Sequence, residues 1–185
     1  MVLIYTLLAA IFVIAAVLYN RLVRDRNRVD AGWSDIDVQL QRRHDMVPQL
    51  VKAVQQYANY ERATLEAVTA LRNSAEAAGG VRERGDIEEH LAQHLRKLLL
   101  LAENYPELKA SQNFAKLQTQ LVETENYLQF ARRYYNGAVR ALNTRIESVP
   151  HNLIASAFGF GVRDYFQKSS DDAANVPLVK FGSVE

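Results

Sequence analysis

Hydrophobic and polar positions along this chain sort into one unbroken apolar run followed by long stretches of helical periodicity. From Met1 to Leu18 no side chain is charged, and only Tyr5 and Thr6 carry polar groups; the run persists to Tyr19, just before Asn20 and Arg21. Crossing the hydrocarbon of a bilayer takes about 20 mostly apolar helical residues, with a range of roughly 17–25, so residues 2–19 make a short but adequate membrane span. A cleaved signal peptide would need a basic start, a shorter apolar core and a small-x-small cleavage site. Met1 alone precedes the run, and Val17-Leu18-Tyr19-Asn20-Arg21 offers no such site, so a retained anchor is expected. Arg21, Arg24, Arg26 and Arg28 follow at once, and an excess of basic residues stays on the cytoplasmic side. The expected arrangement is single-pass, with the N-terminus outside and the remaining chain in the cytoplasm.

From residue 20 to about 78, apolar residues recur every three or four positions: Val29, Trp33, Ile36, Leu40, Val47, Leu50, Val54, Tyr57 and Leu71, widened by Val51, Ala58, Leu65 and Val68. This is the period of an amphipathic helix. Pro48 sits inside it and predicts a kink near His44–Pro48, because proline removes a backbone donor and crowds the preceding turn. Gly79-Gly80 supplies a stop. A second helix is expected from a cap at Asp86 through Leu91, Leu95, Leu98, Leu99 and Ala102 to about Asn104. Tyr105-Pro106 ends it, as a kink or as a chain reversal. The third helix, roughly 107–148, carries a heptad seam of Phe114, Leu117, Leu121, Thr124, Leu128, Ala131, Tyr135, Ala138, Leu142 and Arg145. A short helix over 151–158 and a glycine turn follow, then a polar tail at 168–185. The fold class is therefore all-α: an N-terminal transmembrane helix (1–19) continuing into a helical bundle domain (20–167).

At 1.5 Å per residue the three helices measure roughly 87, 30 and 60 Å. A simple up-down-up bundle would leave the membrane-proximal stripe Val29-Trp33-Ile36-Leu40 bare, which is unfavourable at about 25 cal/mol per Å² of apolar surface. Either one long hairpin covers it, or copies of the chain associate laterally through it, so that Trp33, Ile36 and Leu40 become candidate interaction residues in a homo-oligomer. The apolar stretch 153–160 adds Leu153, Ile154, Phe158 and Phe160 as candidates for core packing or for contact with a partner or bilayer.

Charge is balanced, with 22 Lys+Arg against 21 Asp+Glu, which argues against a nucleic-acid partner. The absence of Cys excludes disulfides, thiol catalysis and Cys-ligated metals. His90 and His94 have an i,i+4 spacing able to hold a metal, but the segment lacks the Glu of a zinc-protease motif and a third ligand, so surface histidines are expected and no cofactor is called for. His44, beside Pro48, is placed to cap backbone carbonyls freed by the proline. Glu123, Glu125, Asn126, Arg132 and Arg133 form a charged face. Paired carboxylates of this kind can bind metal or do acid–base work, which keeps a metal protein or enzyme as the rival class. The expected role is the simpler one, interhelical ion pairing to Arg28, Arg42 or Arg43. Tyr127, Phe130, Tyr134 and Tyr135 read as core and interface packing. No nucleophile–base pair, G-x-S-x-G or phosphate loop occurs.

Four segments in order resemble the LemA family: Tyr19–Asp30 leading into Ala31-Gly-Trp-Ser-Asp-Ile-Asp-Val-Gln-Leu40; Arg42-Arg-His-Asp-Met-Val-Pro-Gln-Leu50 with Tyr57 and Thr64–Val68; Glu103-Asn-Tyr-Pro-Glu-Leu-Lys-Ala110 with Glu123–Asn126 and Ala131–Asn136; and Pro150–Ile154 with Phe158-Gly-Phe160 and Tyr165-Phe166. The resemblance covers residues 19–167. It implies an anchored up-and-down bundle in a bacterial plasma (inner) membrane and no particular enzymatic activity. It also admits a membrane protein partner such as a protease. The function expected is that of a membrane-anchored helical scaffold or interaction protein.

Overall fold

The computed structural model describes residues 1–57 and 62–166. The expected tail 168–185, residue 167, and Ala58 of the apolar stripe lie outside the described residues. Among the described residues every regular element is helical: α1 (Val2–Gln55), α2 (Arg62–Ala77), α3 (Val81–Leu101), a 3₁₀ turn (Ala102–Asn104), α4 (Pro106–Ala110), α5 (Gln112–Glu147) and α6 (His151–Ala157).

α1 is one helix of 54 residues, about 80 Å long at 1.5 Å per residue, so the apolar run and the amphipathic stripe share one rigid rod. Its first part has the length and apolar character of a membrane span. Beyond it, one face buries Leu22, Val29, Ile36, Leu40, Val47, Leu50 and Val54. α5 lies antiparallel along this face: Asp25 meets Arg145, Arg43 meets Glu125, and α5 buries Phe114, Leu117, Leu121, Leu128, Tyr135, Val139 and Leu142. Gly32 marks the closest approach, since a Cβ there would lie 3.1 Å from Tyr135 Cα and 3.0 Å from Tyr134 Cδ1.

The long first helix expected to reach residue 78 instead ends at Gln55, and α2 doubles back so that Arg72 and Glu76 lie beside His44. Pro48 is accommodated within α1. The carbonyl it deprives of an N–H donor is that of His44, four residues earlier, and that oxygen accepts from Arg72 Nε at 3.1 Å. The cap is therefore supplied by a neighbouring helix and not by the His44 side chain. The reversal was hard to foresee because residues 56–61 contain neither Gly nor Pro. α3 starts at Val81, earlier than the expected cap at Asp86, with extended Gly80 before it. It runs parallel to α1, pairing Arg84 with Asp37 and Glu88 with Arg43. Since α5 is antiparallel to α1, Tyr105-Pro106 belongs to a reversal: Pro106 opens α4, and the Ser111 side chain accepts from Phe114 N at the start of α5.

Two apolar clusters result. The distal one joins Met46, Val47, Leu50 and Val54 of α1 to Leu65 and Val68 of α2, Leu91, Leu95 and Leu98 of α3, and Phe114, Leu117 and Leu121 of α5. The membrane-proximal one joins Leu22, Val29, Ile36 and Leu40 to Leu128, Tyr135, Val139, Leu142, Ala155 and Phe166. The stripe expected to be bare is thus core within the same chain. After α6 the chain climbs back along α5, held by Asn143 on Arg163 and Asn136 on Phe166. Phe166 is fully buried, 5.8 Å from the Trp33 ring.

Gly32→Ala should destabilise the full chain by about 1 kcal/mol, read as a lower thermal midpoint in detergent, even though Ala is the better helix former, because the Tyr135 backbone cannot yield to a new methyl group. Arg72→Met should destabilise the natural sequence by about 1–3 kcal/mol through the orphaned His44 carbonyl. In a Pro48→Ala background, where the α1 backbone supplies the missing donor, the same change should cost less. A double-mutant cycle from denaturant melts checks this.

Candidate functional site

Between the two apolar clusters lies a layer of buried charge. Arg43 and His44 come from α1, Glu88 from α3; all three are fully buried. Arg43 Nη1 donates to Glu88 Oε2 at 2.8 Å and to the Glu88 carbonyl at 3.3 Å, while Nη2 reaches the Glu125 carboxylate at 2.6 Å. His44 Nε2 lies 2.6 Å from Glu88 Oε1, and its Nδ1 is 3.6 Å from Glu76, which pairs with Arg72 at 2.9 Å. Burial opposes the charge on Glu88, but the His44 hydrogen bond and Arg43 outweigh it and hold the carboxyl below its ordinary value. Arg132, half-buried beside the layer, has its pKa lowered by burial and by Arg43; it lies 3.8 Å from Glu89 and stacks over Phe166 at 5.2 Å.

A carboxylate held ionised and occupied on both oxygens is a poor proton donor at neutral pH. Among the described residues no three His, Asp or Glu converge to hold a metal. His94 Nδ1 is engaged at 2.9 Å by the His90 carbonyl. The charged face Glu123–Arg133 divides in two. Glu125 and Arg132 turn inward to the ionic layer, with Arg43 as the interhelical partner. Glu123 is exposed and lines a groove with Arg42, and Arg133 lies over the Phe130 ring at 4.7 Å. The arrangement suits fixing helix register.

The candidate interaction residues also divide. Ile36 and Leu40 are fully buried and Trp33 is half-buried, its ring 5.8 Å from Tyr135 and 5.7 Å from the Arg84 guanidinium. They form intrachain core. Ile154 and Phe160 pack against that core, whereas Leu153 (68%) and Phe158 (62%) remain exposed. Phe158 and Phe160 meet Tyr19 at 4.9 and 5.7 Å, and Arg26 lies over Phe160 at 5.5 Å. Just above, buried Asp25 is clamped by Arg145 and by Arg28 at 3.3 Å.

The aromatic residues of α5, expected in core and interface packing, divide as well. Tyr135 is core, but Tyr127, Phe130 and Tyr134 are all more than half exposed. They stand within one turn of helical phase on α5. Tyr127 lines the α1–α5 groove with Arg42, and Val38, one turn below Arg42 and half exposed, stands on the same side. The signal was present in the phase: these residues sit one position before the seam residues Leu128, Ala131 and Tyr135.

Removing charge from the layer should be strongly destabilising. Glu88→Gln leaves Arg43 under-neutralised in a buried site, which typically costs about 3–5 kcal/mol. Because the folded-state pKa of Glu88 is depressed, its contribution is present above the unfolded carboxylate value of about 4.3 and lost as pH falls below it. The thermal midpoint of the natural chain should therefore fall as the pH drops below about 4.3, and Glu88→Gln should show a lower midpoint with a shallower acid slope.

Two proteins of Paramagnetospirillum magneticum, magnetosome protein MamQ 1 and MamQ 2, are each 25% identical to this chain over 187 aligned positions, which cover 87% of it and 68% of their own length. Magnetosome protein MamQ of Magnetospirillum gryphiswaldense is 22% identical over the same shares. Protein LemA of Metamycoplasma hominis is 24% identical over 158 positions, 85% of this chain and 72% of its own. These relatives, with the N-terminal apolar helix, make this a membrane-associated helical protein. A LemA family model matches residues 32–181, nearly all of the chain beyond the apolar run, and the chain belongs to the LemA family.

Proposed function

We infer that this protein is a membrane-anchored scaffold whose bundle stands in the cytoplasm on a rigid extension of its own span and associates with further copies of itself. The observation that carries this is the one-sidedness of the α1–α5 pair. One side is covered by α2, α3 and the segment that ends at Phe166. The other presents Val38, Tyr127, Phe130 and Tyr134 to solvent. Aromatic side chains bury much apolar area at low entropic cost and are enriched at protein interfaces.

The anchor favours association between copies. Molecules tethered in one membrane share a plane and an orientation, which raises their effective concentration. The stripe runs along α5, which follows the α1 rod, so identical faces on neighbouring copies meet at the same height. The basic residues that follow the apolar run support the cytoplasmic orientation. Likeness to proteins named for the magnetosome and for LemA supports a membrane setting without adding a chemistry.

Light scattering of the full chain in mild detergent should give a dimer or larger, and Tyr127→Ser with Phe130→Ser should reduce it to a monomer with unchanged circular dichroism. A monomer in the natural sequence refutes self-association through this face. A reporter fused after Glu185 should be active in the cytoplasm; activity outside refutes the orientation.

A further inference from the structure

α6 sits at an unusual height. The apolar run of residues 2–19 extends about 27 Å as a helix, slightly less than the roughly 30 Å hydrocarbon core it must cross. No part of the run can be spared, so Ala15 through Tyr19 lie at the edge of the hydrocarbon. The folded domain nevertheless reaches that level. The buried face of α1 continues downward from Leu22 through Leu18 and Ala15, both half-buried, while the rest of the run is exposed. α6 packs on α1 and α5 at this end, and the Tyr19 ring touches both Phe158 and Phe160.

At this height the chain displays apolar side chains outward. Val149, where α5 ends, is 80% exposed, alongside Leu153 and Phe158. Val149 and Leu153 are four residues apart. Gly159, at φ +70°, turns the chain back up after Phe158. Arg26 lies over Phe160 and Arg21 stands near His151 of α6, with Arg24 one turn along the same helix; all three are exposed and have no acidic partner among the described residues. Apolar groups flanked by basic ones at the foot of a span match the chemistry of a bilayer surface, where acyl chains meet headgroup phosphates.

We propose that α6 and the turn after it form a second membrane contact: Val149, Leu153 and Phe158 enter the interfacial layer of the bilayer that the span crosses, and Arg21, Arg24 and Arg26 bind lipid phosphates. A single span leaves a rod free to swivel and tilt; a second contact on one side fixes which face of the bundle looks along the membrane. The inference rests on the apolar run being a span, and the test separates the two.

The chain has no Cys, so Leu8→Cys, Leu153→Cys, Phe158→Cys and Lys97→Cys each give one labelling site on the full chain. The variants carry an environment-sensitive fluorophore in nanodiscs of mixed zwitterionic and anionic lipid, with circular dichroism confirming the fold. Lipids brominated in the acyl chain should quench labels at 8, 153 and 158 but not at 97, and aqueous iodide should quench the label at 97. Loss of lipid quenching at 8 overturns the span itself. Quenching at 8 with 153 and 158 open to iodide overturns the second contact alone. Shielding of 153 and 158 from both quenchers means that a second copy covers the patch, which also overturns it.

Discussion

Arg43 sets the constraint on which the rest of the bundle depends. Its guanidinium is fully buried, and burying such a charge is tolerable only if it is paired and hydrogen-bonded. The pairing comes from two other helices, Glu88 on α3 and Glu125 on α5. Apolar seams alone tolerate sliding, since one leucine replaces another after a turn. An ionic layer between two apolar clusters does not, because a shift of one turn would strand charge in the core. Its main effect is thus on register more than on net stability, as buried ion pairs often return little beyond their desolvation cost. The same layer recruits α2, through His44, Glu76 and Arg72, at the place where Pro48 leaves a carbonyl without a donor.

That register has consequences at both ends. Toward the membrane it aligns Gly32 under the Tyr135 backbone and the Tyr134 ring, and Asp25 with Arg145, so α5 covers α1 down to the end of the apolar run. The segment beyond α6 then fills the remaining gap with Phe166. Away from the membrane, α2 and α3 close the distal core on one side of the α1–α5 pair only. The aromatic groove opposite and the apolar patch at the base are what this arrangement leaves uncovered.

Much of this was legible from residue order. The uncharged run, its basic flank, the three-and-four periodicity and the heptad seam of α5 are local signals, each set by the helical repeat and by the length a bilayer demands. The charged face of α5 called for arginine partners among Arg28, Arg42 and Arg43 of the first helix, and Arg43 is the one that Glu125 meets. The breaks at Gly79-Gly80 and Tyr105-Pro106 followed from backbone chemistry. The family resemblance rested on residues that the fold places at these same points, among them Gly32, Trp33, Arg43, His44 and Pro48.

What the sequence by itself determined, then, is that the chain is helical, that it carries an apolar segment of membrane-spanning length, and which faces of its helices are apolar. Only the tertiary structure decided which apolar faces find partners. Trp33, Ile36 and Leu40 look available in a linear reading and are covered by α5, with Phe166 closing over Trp33. Of the α5 aromatics that read as core or interface, Tyr135 is buried and Tyr127, Phe130 and Tyr134 are exposed. Whether a stripe is interior depends on the rotation and height at which distant helices dock. That is set by long-range contacts, the Arg43 layer above all, which no local period encodes.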